Sequence, residues 1–438
     1  MSFFGPIFTP VLGESSNASI RRALHHARVV GNFALVQTLV QIVGFMSGIL
    51  IVRKLEQREY AYFTIANTMQ GTINLLADIG ISVGLVSIGG RVWQDRHRFG
   101  QLINTALDLR RKLGVVVVIA VTPVMYFMLV RNGASISYTA LLIVVVLIGL
   151  GFQLSIGVLG AVPRLCADIG RIQMIDITGA TVRLAALAAL LLVLNAGIAV
   201  TVASVVSLLQ YAMLRRYAVR VIDFNAPENS EDRHSIIRLV KHLAANSVFY
   251  CFQGQITVFL ITFFAHRTAS IAEVGALGRL AMIFSVFTNL LTNVLVPAFA
   301  RCQNERKLRR LYAAIVGGIA IFSLVIIFCA WIFPDQFLFV LGNKYAHLYR
   351  ELLLMVGGAV FSAFTGTFWA LNAAKAWVTG AWLYIPLTIA TQIALIPCTD
   401  FSTVTGVLTF NLLSALPNLL LNIAMSFRGF RSFQAAVA

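Results

Sequence analysis

The chain is predicted to be an all-α integral membrane protein of about twelve transmembrane helices, set in two six-helix lobes related by a pseudo-two-fold axis. Composition is the first reason: of 438 residues, 59% are hydrophobic and 12% charged, and the mean hydropathy is +0.85. A water-soluble core cannot absorb that much apolar surface. The second is the length of the uncharged runs, such as Asn132 to Pro163 and Leu184 to Leu214. The third is the way basic residues segregate by loop. Together they leave a membrane channel, a carrier or a membrane-embedded enzyme.

The expected spans cover 29–52, 60–89, 100–130, 135–162, 174–194 and 197–214, then 241–265, 272–299, 311–333, 350–374, 376–397 and 402–425. Each can cross a hydrocarbon core about 30 Å thick, and those well beyond twenty residues imply tilt or extension into water. The net charge of +17 would suggest nucleic acid in a soluble protein. Here about 25 of the 34 Lys and Arg residues fall in the tails and even-numbered loops, and about 7 in the odd-numbered loops. This predicts a multi-pass protein of a bacterial inner membrane with both ends cytoplasmic, and no nucleic-acid partner. Arg53, Lys54 and Arg58, in the first outer loop, run against the bias.

The longest polar interruption, residues 215–240, carries Asp223, Asn225, Glu228, Glu231 and Asp232 among basic residues. It divides an N-lobe (28–214) from a C-lobe (241–427), with cytoplasmic tails at 1–27 and 428–438. The first tail has no basic region ahead of its apolar patch and does not read as a cleaved signal. An even number of spans per half makes the halves parallel repeats. At an offset of about 214 residues Asn32 falls on Asn246, Gln41 on Gln255 and Arg53 on Arg267. One residue further on, Asn74-Leu75-Leu76 falls on Asn289-Leu290-Leu291 and Asp78 on Asn293.

The candidate site residues are polar groups inside spans. Asn67, Gln70, Asn74 and Asp78 recur at helical spacing along the second span. Asn289 and Asn293 lie in the eighth, Gln37 and Gln41 in the first, and Asn246, Gln253 and Gln255 in the seventh. They either line a wet cavity between the halves or act as interhelical glue worth about 1 kcal/mol or less each. Arg183 and Arg279 are intramembrane cations, which cost at least about 2.5 to 3.5 kcal/mol each in hydrocarbon and are functional candidates for that reason. Arg183 has Asp176 within two turns, and Arg279 has Glu273. Asp78 is either a coupling site for a cation or a partner for an Arg near the cytoplasm.

Other chemistry is missing. There is no phosphate-binding lysine loop, zinc helix or serine elbow. The seven histidines lack ligand spacing, and the five cysteines sit singly, so no cofactor, metal or disulfide framework is expected. The largest outer segment, Pro334 to Tyr349, is small for a glycan polymerase.

Arg53-Lys54-Leu55, Glu59-Tyr60-Ala61-Tyr62-Phe63 and Asp78-Ile79-Gly80 resemble the first helical hairpin of bacterial polysaccharide-biosynthesis membrane proteins. These are oligosaccharide-lipid flippases of the multidrug/oligosaccharidyl-lipid/polysaccharide (MOP) exporter superfamily. Glu273-Val274-Gly275-Ala276 leading to Arg279-Leu280 and Pro297 is similar to their eighth helix, and Leu338, Leu341-Gly342 and Tyr345 to their motif after helix 9. The chain departs from the pattern at Ala61, commonly Gly, and Leu277, commonly aromatic. The resemblance implies an inverted-V carrier that moves an undecaprenyl-diphosphate-linked oligosaccharide to the outer leaflet for polysaccharide or O-antigen export. A glycan polymerase and export machinery would be its partners, and membrane lipids its surroundings. Arg279 and Arg183 would attract the diphosphate, and the amide stripe the sugar hydroxyls. A drug or cation antiporter of the same superfamily is the alternative, and a membrane-embedded glycan polymerase or transferase the alternative from another class.

Overall fold

Seventeen α-helices and no strand occur among the residues that the computed structural model describes, 16–166, 168–264, 268–291, 295–302, 304–375, 377–378 and 380–437. The N-lobe holds α1 (Ser16–Lys54), α2 (Gln57–Leu76), α3 (Ile81–Val92), α4 (Arg96–Arg131), α5 (Ile136–Leu159), α6 (Ala161–Leu165), α7 (Ile169–Ala189) and α8 (Ala196–Val221). The C-lobe holds α9 (Ser230–Phe264), α10 (Ala269–Leu280), α11 (Ile283–Leu290), α12 (Val296–Arg301), α13 (Glu305–Ile332), α14 (Pro334–Leu341), α15 (Tyr349–Ala374), α16 (Tyr384–Leu395) and α17 (Val404–Val437).

Ten helical segments are long and apolar enough to cross a membrane, and the pair α2–α3, bent by 48°, makes an eleventh. The expected eighth span, 272–299, differs: it is divided into α10, α11 and α12. At the first break Met282, Phe284 and Ser285 donate to the carbonyls of Arg279, Ala281 and Met282, so tighter three-residue bonds replace the α-helical ladder there. These amides are thus not left unpaired at the break. Residues 1–15 of the expected tail, and Arg267 and Asn293 of the proposed repeat, lie outside the described residues. Helix α1 already begins at Ser16, and α17 continues to Val437.

Helix starts follow the local sequence. Asp95, Ser135, Asn195 and Asn304 each accept a hydrogen bond from the first turn of α4, α5, α8 and α13. Such caps contribute about 1 kcal/mol apiece by satisfying otherwise free amides. The α2–α3 break turns on Gly80, whose φ of +86° suits a residue without Cβ.

Residues 215–240 are helical except between Val221 and Ser230. Arg98 grips Asp232 through two bonds of 2.5 and 2.7 Å, and Arg233 bonds Asp108, which fastens the start of α9 to α4. The His97 ring lies 3.0 Å from Asp223 and holds that carboxyl below its ordinary range. Gly100 lets α4 pass against the backbone carbonyl of Asp223, where a Cβ would collide. Gly100→Ala is expected to cost about 1–3 kcal/mol, because backbone cannot yield as a flexible side chain does. An unchanged melting temperature for that variant would show that the interval is not held in place as described.

The largest buried cluster joins the lobes. Tyr60, Phe63 and Met69 of α2 pack with Ile271 and Leu277 of α10 and with Leu338 and Leu341 of α14. Gly275 allows the α2–α10 contact, since a Cβ there would strike Thr64. Ile119, Ile321, Leu324 and Phe328 stay exposed, as side chains in a lipid-facing belt do.

Candidate functional site between the lobes

The site is built where α1, α7 and the broken α10–α11 segment meet. Helix α1 packs extensively on α7 and also touches α10 and α11, which brings Arg183 of the N-lobe toward Arg279 of the C-lobe. Arg279 lies over the Phe63 ring at 5.8 Å, and its Nε makes a long 3.5 Å hydrogen bond to the hydroxyl of fully buried Tyr60. Gly48 of α1 makes room for it, because a Cβ there would press on the Arg279 side chain at 3.3 Å.

Neither arginine takes the carboxylate expected for it. Asp176 accepts a 3.2 Å bond from Gln37 Nε2, and Glu273 lies 3.4 Å from the His347 ring. The Arg183 Nε is buried without a hydrogen-bond partner, and neither arginine forms an ion pair among the described residues. Cations that lack a carboxylate partner are costly in an apolar surrounding. A cavity of 390 Å³, which neither arginine lines, lies next along the chain from Arg279 among Gln41, Ile42, Phe45, Leu280, Met282 and Phe337. Its walls are almost wholly apolar, and Gln41 meets Ser285 across the lobes at 3.2 Å.

The other expected residues do not form one wall with Arg279. Asn74 Oδ1 accepts from Arg110 at 3.1 Å, and Asp78 pairs with Arg110 at 3.0 Å. Gln70 is buried over Gly149 inside the N-lobe, with its Nε2 unpaired. Asp78 is therefore engaged in an ion pair with Arg110. Asn67 and Asn246 are exposed, and Gln255 is half-buried. Gln253 exchanges hydrogen bonds of 3.2 and 2.9 Å with Gln392, which is interhelical glue between α9 and α16. Asn289 is described only as backbone of α11, and Asn293 lies outside the described residues.

Sequence reasoning did not single out Arg110, although it falls within the expected span 100–130. Helix α4 is 36 residues long, and Arg110 sits inside it at 4% exposure. The signal was present in Gly157, whose missing Cβ gives Arg110 its space. The reasoning also left Arg53 and Arg58 as exceptions to the charge bias. Arg53 Nε donates to the Val340 carbonyl at 2.9 Å and its Nη2 to that of Phe339, at the end of α14, while Arg58 bonds the Gly133 carbonyl. Cations at helix ends and loop carbonyls have local partners that a loop-counting rule ignores. Lys344 Nζ to the Leu55 carbonyl, 2.6 Å, and Arg131 Nη2 to the Phe263 carbonyl, 2.7 Å, add further ties between the lobes at this end.

No protein-family model matches the sequence, and no curated protein matches it. Solved structures do match in fold. An inward-facing multidrug-resistance MATE transporter of the MOP superfamily superposes with a TM-score of 0.69 at 16% identity, over 92% of this chain and 98% of that one. The lipid II flippase MurJ, in an inward closed conformation, gives 0.68 at 11% identity, over 92% and 89%. A MOP superfamily transporter from Pyrococcus furiosus gives 0.63 at 15% identity, over 93% and 95%. The chain has the two-lobed, all-α fold of MOP-superfamily transporters.

Proposed function

We propose that this protein is a flippase that carries a lipid-linked anionic oligosaccharide, of the polyprenyl-diphosphate class, from the cytoplasmic to the outer leaflet by alternating access. The observation that carries the reading is that Arg183 and Arg279, on helices that both pack against α1, have no carboxylate partner among the described residues, with an apolar cavity lined by Leu280 and Met282 next to Arg279. A diphosphate supplies the missing anion, since guanidinium forks bind phosphate oxygens in paired, charge-assisted bonds. The cavity of Ile42, Phe45 and Phe337 suits the first units of a lipid tail. The sugar cannot cross hydrocarbon unaided, because each uncompensated hydroxyl costs several kcal/mol. MurJ, which shares the fold, is described as a lipid II flippase, so the same architecture serves a lipid-linked cargo.

In this reading the ties of Arg53, Lys344 and Arg131 close the outer end and break when it opens. Moving about two negative charges outward across an inside-negative potential of about 100 mV releases roughly 4 to 5 kcal/mol, which helps to drive export. The drug or cation antiporter fits less well: a cationic cargo would meet two arginines, and Asp78 is already engaged by Arg110.

The test is reconstitution of the purified chain in liposomes holding a polyprenyl-diphosphate oligosaccharide, scored by access of a membrane-impermeant glycan-binding protein. Relocation without chemical change is expected. Transformation of the substrate would make the chain an enzyme, and absence of relocation would remove this cargo. Arg183→Met separates function from packing. Removing one of two like charges should stabilise the fold by about 1 kcal/mol, since an apolar isostere carries no desolvation penalty. Relocation should fall at the same time, a trade typical of sites held ready for a ligand. A variant that lost stability together with transport would mark Arg183 as structural.

A further inference from the structure

The N-lobe carries a second groove, remote from the arginine pair, between α4, α5 and α8. Its mouth is a pocket of 300 Å³ lined by Asn104, Asp108, Arg111, Ser155, Arg215 and Glu228. It continues through Arg111, Ser155 and Tyr211 into a cleft of 750 Å³ walled by Val115, Ile119, Ile148 and Phe152. Polar groups are confined to one end, and the rest is hydrocarbon. Arg111, Val115 and Ile119 follow at one-turn steps on α4, and all are exposed. This face therefore passes from charge to lipid within two turns, as a helix does at the boundary between headgroups and acyl chains.

Charge at the mouth is unbalanced in a specific way. Asp108 is held by Lys112 at 2.7 Å and by Arg233, and Glu228 by Arg233 at 3.3 Å. Both acids are thus already neutralised. Arg111 and Arg215, both exposed, have no ion pair or hydrogen bond among the described residues. The groove also has room along its floor: a Cβ added at Gly151 would meet nothing within 4 Å.

We infer that this groove binds an anionic phospholipid, with its phosphate on Arg111 and Arg215 and an acyl chain along Val115, Ile119 and Ile148. The complementarity is of two kinds at once. Arginines favour phosphate oxygens, and an exposed apolar cleft that opens on their membrane side favours a chain attached to that phosphate. A zwitterionic lipid satisfies the cleft but brings its own cation to the arginines.

Native mass spectrometry of the purified full chain, with phosphatidylglycerol and phosphatidylcholine in equal amount, tests the inference. The first bound phosphatidylglycerol should be retained roughly 10- to 30-fold better than phosphatidylcholine, as two interfacial cations imply. In the double variant Arg111→Ala/Arg215→Ala the preference should fall to near parity, while Arg220→Ala/Arg238→Ala, exposed arginines away from the groove, should keep it. Gly151→Leu fills the cleft and should lower retention of both lipids, which keeps the test decisive if the double arginine variant does not purify. Equal retention by the unaltered chain would overturn the assignment. So would a preference that survives loss of Arg111 and Arg215, that vanishes equally without Arg220 and Arg238, or retention indifferent to Gly151→Leu.

Discussion

Arg279→Ala is expected to reduce relocation of a diphosphate-linked lipid by roughly 10- to 100-fold, while membrane insertion is kept. A hydrogen bond to a charged group contributes about 1.5–3 kcal/mol, and loss of one arginine from a two-arginine site removes at least one such contact. Arg279→Lys should recover part of the rate, because it keeps the charge but loses the planar fork. The side chain also rests on Phe63 and Tyr60, so melting temperature must be measured beside transport. Unchanged transport by a folded Arg279→Ala protein would remove this residue from the site. It would also leave Arg183 without a functional reason for its unpaired Nε.

Asp78→Ala should destabilise the protein by about 3 kcal/mol, since breaking a buried pair strands the surviving charge. Arg110 would be left at 5% side-chain exposure with Asn74 as its remaining acceptor, and Ser82 would lose its 2.7 Å bond to the carboxylate. The figure sits at the low end of the range because the Asp78 side chain is 30% exposed and water reaches it. Asp78→Leu combined with Arg110→Met should restore most of the loss, as apolar replacements of an ion pair often do. Thermal unfolding of the three proteins in one detergent checks the cycle. Ion-dependent transport retained by the double variant would exclude Asp78 as a coupling group, and a double variant no more stable than Asp78→Ala would refute the pairing account.

The candidate site was only partly legible in the sequence. Arg183 and Arg279 stood out, because a cation in a long apolar stretch is expensive wherever it lies. Their partners were not legible. Proximity along a helix proposed Asp176 for Arg183 and Glu273 for Arg279, yet Gln37 of α1 and His347, in the turn before α15, reach those carboxylates first. The amide stripe of the second span failed as a wall for a similar reason. Helical spacing puts Gln70, Asn74 and Asp78 on one face, but which neighbour that face meets depends on helix packing, and it meets α4 and α5. Between α10 and α11 neither a proline nor a left-handed glycine marks the break, where short-range backbone bonds replace the α-helical ladder.

What the sequence by itself determined is the solvent and most of the crossings, ten or eleven helical spans among the described residues standing where twelve were expected. Apolar length, the polar interval near Asp223 and the caps at Asp95, Ser135 and Asn195 are local properties, and a bilayer forces every such stretch into a helix because no free backbone group is tolerated there. What only the tertiary structure decided is who faces whom: Arg279 against Gly48 and Tyr60, Arg110 against Asp78, and Arg53 at the end of α14. Those pairings join residues far apart in the chain. They are fixed by the crossing of packed helices, which periodicity along one helix does not encode.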